Sequence, residues 1–263
     1  VCMAAFGRIW AADVTGNKQT LYWSDSLNGV SWNAGTSGSL DLTTVFPSGF
    51  DEITALAAHN NFLIILGRRS ILVYSGAGDP STMTLSDTIL NIGCVGRDAI
   101  QSDGKDILFL DFSGVRSLSR TIQEKSSPIG DVSQNVNSEI KSRVQAETGD
   151  IKTVYDANNA FFLINFPTVG VVYCFDTRYP LQNGSYRTTT WTGIKPLCFT
   201  VTDDDDAISI FLKPIRKTQT AEVNNADADP DVIVLACAQY GQKALLKKLL
   251  SKMNGGPHDD NLI

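Results

Sequence analysis

Side chains able to do chemistry are few in this sequence, and their spacing is wrong for the common reactions. There are two histidines, His59 and His258. His59 stands beside Asn60-Asn61 in a hairpin-like turn and His258 in a polar tail, so neither reads as a poised base. A Ser-His-Asp triad would need a nucleophile on a sharp strand-to-helix turn, and no GxSxG elbow occurs. No GxxxxGK[ST] loop is present to cradle a phosphate. Gly76-Ala77-Gly78 has Ser81 where a dinucleotide fingerprint needs its third glycine, and reads as a plain turn. The run Asp203-Asp204-Asp205-Asp206 would attract Ca²⁺, but it lacks the glycine spacing and distal Glu of an EF-hand loop, and reads as a solvated acidic loop. The five cysteines, Cys2, Cys94, Cys174, Cys198 and Cys237, are odd in number and form no CxxC pair. They are expected to be reduced thiols made in a reducing compartment, with Cys174 and Cys198 in apolar strands. The expectation is no catalytic residue, no cofactor and no metal.

Carbohydrate chemistry is the strongest rival. Asp25-Ser26-Leu27-Asn28-Gly29-Val30-Ser31-Trp32 resembles the Asp-box turn of sialidase-type propellers. Gly29 and Trp32 match, whereas Leu27 occupies the Asp position and Asp25 the Ser position. The box braces a turn and takes no part in catalysis. A glycan carboxylate would call for clustered guanidinium groups, which pair with it bidentately. Arg68, Arg69, Arg97 and Arg116 are the candidates, and the sequence does not show whether they converge.

The elements that must position these residues are β-strands. The 263 residues are 43% hydrophobic and 19% charged, with formal net charge −6. A sizeable core can be buried, and a general polyphosphate-binding surface, which needs a basic excess, is disfavoured. The longest apolar runs, Phe62 to Leu66 and Val232 to Ala238, fall well short of the ~20 residues of a membrane helix. No basic-then-apolar signal segment opens the chain. The first residue is Val1, which suggests an upstream part.

Three segments, 57–74, 101–118 and 155–175, share one pattern. Each runs from a polar turn into an apolar strand, then a second turn and another strand. A weaker copy opens the chain at Phe6 to Trp23. The anchors Ile9, Phe62, Ile107 and Phe161 lie 53, 45 and 54 residues apart. A period near 50 with three or four strands per unit is the mark of a β-propeller. The expected fold is therefore all-β: a propeller of about four blade-like units, as a small or an incomplete ring. Phe62, Ile64, Leu108, Leu110, Phe162 and Ile164 are expected to face inward. A short helix is expected over Ser133 to Glu147, with Val136, Ile140 and Val144 on one side and Asp131 or Ser133 as cap.

Several runs carry a more specific resemblance. Phe6-Gly7-Arg8-Ile9-Trp10-Ala11-Ala12-Asp13, Tyr22-Trp23-Ser24-Asp25 and Asp51 through Asn60 are similar to the tail nozzle protein (tail tubular protein B) of short-tailed bacteriophages. So are Val73-Tyr74-Ser75-Gly76, Gly93-Cys94-Val95-Gly96-Arg97-Asp98 and Gly114 through Ser126. Tyr173-Cys174-Phe175-Asp176, Asn183-Gly184-Ser185-Tyr186-Arg187 and Trp191 extend the likeness, which spans roughly residues 2–200. The resemblance implies a propeller-bearing virion subunit, assembled in the host cytoplasm into a six-fold ring through which genomic DNA leaves without sequence-specific binding. Its neighbours would be the tail adaptor protein and the tail fibres, with no membrane span and no enzyme activity. Nozzle subunits are much longer, which implies a fragment or a reduced relative. The runner-up is a glycan-binding or glycan-cleaving propeller used in host attachment.

Beyond residue 200 the pattern departs from that family. Residues 201–231 read as an acidic polar linker. Residues 232–263 read as a C-terminal amphipathic helical segment, with Leu245, Leu246, Leu249 and Leu250 beside Lys243, Lys247, Lys248 and Lys252. Part of it is faintly similar to one ankyrin repeat, a unit that cannot bury its own face.

Overall fold

The computed structural model describes residues 1–47, 49–124, 131–192, 196, 198–201, 207–212 and 232–236. These residues form an all-β fold of the β-propeller type: a chain-order series of antiparallel meanders, each strand pairing with the next. The chain divides into two compact units, one of Val1–Ala146 with Pro180–Tyr186 and one of Glu147–Tyr179 with Arg187–Ile263.

In the first unit, β1 (Cys2–Ala5), β2 (Arg8–Ala11), β3 (Thr20–Trp23) and β4 (Gly38–Asp41) make a four-stranded sheet. A second is made by β5 (Ile53–His59), β6 (Phe62–Gly67), β7 (Ser70–Ser75) and β8 (Thr84–Leu90). A three-stranded sheet follows from β9 (Ile100–Ser102), β10 (Ile107–Asp111) and β11 (Gly114–Ser117). The inner strands are apolar on both faces, and the period-2 alternation divides them between two interfaces. Leu63 and Ile65 join a core with Trp10, Leu21, Trp23, Leu56 and Leu72, in which the Trp10 and Trp23 rings lie 5.8 Å apart. Both indole N–H groups are satisfied: Trp10 donates to the Ala5 carbonyl at 3.0 Å and Trp23 to the Thr36 carbonyl at 3.1 Å.

Five of the six residues expected inside, Ile64, Leu108, Leu110, Phe162 and Ile164, are buried. Phe62 is not: it is 36% exposed. It opens β6 directly after the two-residue turn Asn60-Asn61, both at positive φ, and pairs with His59 beside that turn. His59 thus stands at the end of β5, its Nε2 3.0 Å from the Asn60 amide.

Two helices interrupt the strands. The expected helix is α2 below, but it is preceded by α1 (Leu118–Glu124), capped by Ser117, whose hydroxyl accepts the Arg120 N–H at 3.3 Å. The start of α1 is held from another strand pair: an Asp106 oxygen accepts the Ser119 N–H at 3.0 Å and the Ser119 hydroxyl at 2.9 Å. Helix α2 (Asn137–Ala146) buries Ile140, as its spacing implied. Neither expected cap serves it. The Ser133 hydroxyl accepts the Val115 N–H at 2.8 Å, and the Asp131 carboxylate is taken by Arg116 and by the Asn137 amide at 2.7 Å.

The second unit contains the sheet β12 (Lys152–Asp156), β13 (Phe161–Phe166), β14 (Val171–Asp176) and β15 (Arg187–Thr192), and the sheet β16 (Cys198–Val201), β17 (Ala207–Leu212) and β18 (Val232–Ala236). Val154, Leu163, Val172 and Cys174 form its core, with Phe161, Trp191 and Phe199 packed around them. The last sheet corrects the reading of the C-terminal part. Ala207–Leu212 is a strand rather than linker, and Val232–Ala236 is a strand rather than the opening of a helix. The reason is composition: Val232, Ile233 and Val234 are β-branched and stiff at χ1, which suits a pleated surface better than a helix. A fifth meander thereby joins the four that the repeat implied. The remainder of the expected helical tail, residues 237–263, lies outside the described residues, as does the four-Asp run.

Cys94 and Cys174 are free and buried, and Cys2 is free and exposed. Burial pushes the Cys94 thiol up to about 12, and the Asp111 charge adds to the shift. At pH 8 an alkylating reagent should therefore modify Cys2 in the native protein and leave Cys94 and Cys174 untouched. In denaturant without reductant, five thiols should be counted. A count of three or one would reveal disulfides, and rapid native labelling of Cys94 would show that its site opens.

Candidate functional site

The residues with the most chemical potential meet in the first unit, at the loops that end β6 and β10. The β6–β7 turn carries Arg68 and Arg69 outward. Its shape is imposed by the buried Asp51, whose oxygens accept the N–H of Arg68 at 2.9 Å, the N–H of Arg69 at 3.1 Å and the Ser70 hydroxyl at 2.6 Å. From the other side the chain passes so close at Gly93 that a Cβ there would lie 2.3 Å from the Arg68 carbonyl carbon. The Cys94 N–H donates to Gly67 at 2.9 Å, and the Gly93 N–H donates to Asp111 Oδ1 at 3.2 Å. The arginine turn is therefore locked onto the next sheet.

That next sheet supplies a second arginine device. Arg116, on β11, is buried with a side-chain exposure of 5%. Its Nε lies 3.4 Å from Asp111 Oδ2, its Nη1 3.0 Å from Asp131 Oδ1, and its Nη2 donates to the Ser113 hydroxyl at 3.1 Å. The Nη1–Oδ1 contact is close enough for a strong charge interaction but is not aligned as a hydrogen bond. One cation thus bridges two buried carboxylates and ties β10, β11 and the start of the α2 segment together.

A cleft of 490 Å³ opens among these parts. Arg68, Arg69, Arg116 and Lys141 line it, with a single carboxylate, Asp111, and with Asn91, Phe112 and Ser113 completing the wall. Arg68, Arg69 and Lys141 are exposed, and Phe112 is 41% exposed. The cleft is thus a pocket of positive charge in a chain of net charge −6.

The structure gathers three of the four arginines singled out in the sequence. Arg97 stays apart and pairs with Asp98 at 3.2 Å. Lys141 was not foreseen, because only the packing of α2 on β11 through the buried Ile140 carries it to the cleft. Asp51 was missed for a similar reason: it holds two backbone N–H groups 17 and 18 residues away and the Ser70 hydroxyl 19 residues away. A carboxylate just ahead of a strand, facing a tight turn in the following hairpin, was the available signal.

The Asp-box-like loop is placed differently. Asp25 Oδ1 accepts the N–H of Ser26 at 2.9 Å, and the N–H and hydroxyl of Thr36 at 2.8 Å each. Those bonds, led by the Thr36 N–H, hold its carboxyl below the usual Asp range. The buried Arg8 braces the same loop, donating to the Ser24 carbonyl at 2.9 Å and the Thr36 hydroxyl at 2.8 Å. Trp32 is 36% exposed. The turn is braced, but by Asp25 where the box has Ser. Gly76-Ala77-Gly78 forms a turn after β7. No group of three or more His, Cys, Asp or Glu able to hold a metal occurs among the described residues. None of their helices is long and apolar enough to cross a membrane.

No protein-family model matches the sequence, and no curated protein matches it. Solved structures match in part. Hsv2 of Kluyveromyces lactis is 11% identical, with 73% of this chain and 60% of that chain covered, at a TM-score of 0.41. The AfRom2 CNH domain is also 11% identical, with 80% of this chain and 63% of that domain chain covered, again at a TM-score of 0.41. The chain thus spans less than two thirds of the length of either structure.

Proposed function

We propose that this chain is a structural subunit of a bacteriophage tail nozzle, one segment of a six-fold ring around the path of the outgoing genome. The observation that carries the reading is the state of the outer strands. Each four-stranded sheet ends in a strand that is half or more exposed, β4, β8 and β15, and whose outer edge pairs with no strand among the described residues. Such edges aggregate unless they are blunted or paired, and lateral contacts in a closed ring pair them. The nozzle-like runs support the same reading, because they coincide with framework rather than with a reactive site. Asp51 clamps the β6–β7 turn, Gly93 seats it, and Arg116 ties three elements together.

The partners under this proposal are copies of the chain itself, the tail adaptor protein and the tail fibres. Genomic DNA passes through without being gripped, since each neutralised phosphate would slow its passage. The location is the virion tail, and no catalytic step is assigned. Mass spectrometry of purified particles together with electron microscopy tests the proposal. Six copies at the tail tip are expected. Absence from particles, with the product secreted or held at a membrane, would overturn it, as would robust turnover of glycoside substrates by the purified chain.

A further inference from the structure

We propose that the cleft between the β6–β7 turn, the β10–β11 turn and α2 binds a carboxylate-bearing sugar residue of an acidic polysaccharide. The proposal stands on the first unit alone and does not depend on assembly into a virion.

The charge pattern comes first. Among the described residues, the guanidinium of Arg69 and the ammonium of Lys141 make no ion pair or hydrogen bond, although both are exposed beside a cleft that already holds Arg68 and Arg116. Like charges gathered without partners repel one another, and the repulsion is relieved when an anion enters. Arg68 shares Glu52 with Lys18, at 3.4 and 3.3 Å, so one carboxylate serves two cations there. Arg116 is compensated by Asp111 and Asp131 and bonded to Ser113, so it adds no net positive charge to the cleft. The groups with free donors are Arg69 and Lys141, and an arginine fork matches the planar geometry of a carboxylate.

The neutral residues point to the rest of the ligand. Phe112 presents an exposed ring to the cleft, an apolar surface against which the C–H face of a pyranose can pack. Asn91 supplies an amide for ring hydroxyls, whereas the Ser113 hydroxyl is already engaged by Asp111 and Arg116. A volume of 490 Å³ exceeds what a lone inorganic anion needs and falls in the range of small-molecule sites. Asp111 in the wall and the acidic balance of the chain disfavour a nucleic acid, which brings a charge about every 1.7 Å of duplex and calls for an extended basic surface. A sugar acid brings one charge per residue, which a compact group of two or three cations can answer.

Isothermal titration of the full chain at low ionic strength tests this, with tetragalacturonate, maltotetraose, inorganic phosphate and a short DNA duplex as probes. Tetragalacturonate should bind and maltotetraose should not. Added salt should weaken the binding. Arg69→Gln and Lys141→Gln, both exposed and without structural partners, should keep their thermal unfolding profile and each lose roughly tenfold in affinity, the scale of one charge-assisted bond. Arg97→Gln should behave as the parent protein. Equal binding of the neutral and acidic sugars would overturn the proposal, as would wild-type affinity in both cleft variants. Phosphate binding as tightly as the sugar acid would reduce the site to a small-anion site, and preferential binding of duplex would reassign it to nucleic acid. Either result would also overturn it.

Discussion

Replacing Arg116 with Ala should lower the unfolding free energy by about 3–5 kcal/mol, the cost of leaving buried charges without their partner. The guanidinium is 5% exposed and stands between Asp111 and Asp131, whose side chains are 6% and 3% exposed. Removing it strands two carboxylates in a low-dielectric setting. They must then stay charged at high cost or take up protons. Asp111 would retain the Ser113 hydroxyl at 2.6 Å and the Gly93 N–H, and Asp131 the Asn137 amide, but no cation would remain between them. Urea unfolding of the variant against the parent measures the loss. If stranded charge is the cause, Arg116→Met combined with Asp111→Asn and Asp131→Asn should recover a large part of it, since no ion then lies buried. A single-variant loss below about 1 kcal/mol would place these groups in contact with solvent, as for an exposed ion pair.

Ile64→Ala in β6 should cost about 2–5 kcal/mol, the transfer term plus the cavity left behind. Ile64 is 1% exposed, opposite Ala57 on β5 and Val73 on β7, in the middle of a sheet buried on both faces. Because the sheet is braced on both sides, the hole cannot collapse cheaply. Phe62→Ala, two residues earlier on the same strand, should cost clearly less even though it deletes a larger side chain, because Phe62 is already 36% exposed at the hairpin end. The comparison separates burial from residue type. Equal losses at the two positions would mean that the ring of Phe62 is covered in solution.

The strands were legible because they depend on local chemistry. Leu63 to Leu66, Ile107 to Leu110 and Phe161 to Ile164 are apolar on both faces and bounded by Asn, Asp and Gly, and each lies in a strand next to a tight turn. Asn60-Asn61 announced its hairpin because both residues tolerate positive φ. The helix over Asn137–Ala146 was visible in the spacing around Ile140. Less was readable where one neighbour decided the outcome. Helix α1 has a local cap in Ser117, whose hydroxyl accepts the Arg120 N–H at 3.3 Å, but its first turn is also held by Asp106 reaching it from the β9–β10 turn. Ser133 was available as a cap by type and position, but the Val115 N–H claimed its hydroxyl.

The candidate site shows the same division in its sharpest form. The sequence showed few histidines, no phosphate-binding loop and an acidic balance, and it offered Arg68, Arg69, Arg97 and Arg116 as candidates for anion chemistry. Whether those arginines act together depended on contacts between residues far apart in the chain. Asp51 holds the backbone of Arg68 and Arg69, Gly93 lets the next sheet approach within a distance no side chain would allow, and Ile140 seats the helix that brings Lys141. Arg97, equal in type and nearer in sequence to the others, is left out because it pairs with its own neighbour Asp98. Local propensity acts over a few residues and is written in the order of the chain. Convergence is decided by which faces are buried and which backbone groups find partners, and those are properties of the packed sheets.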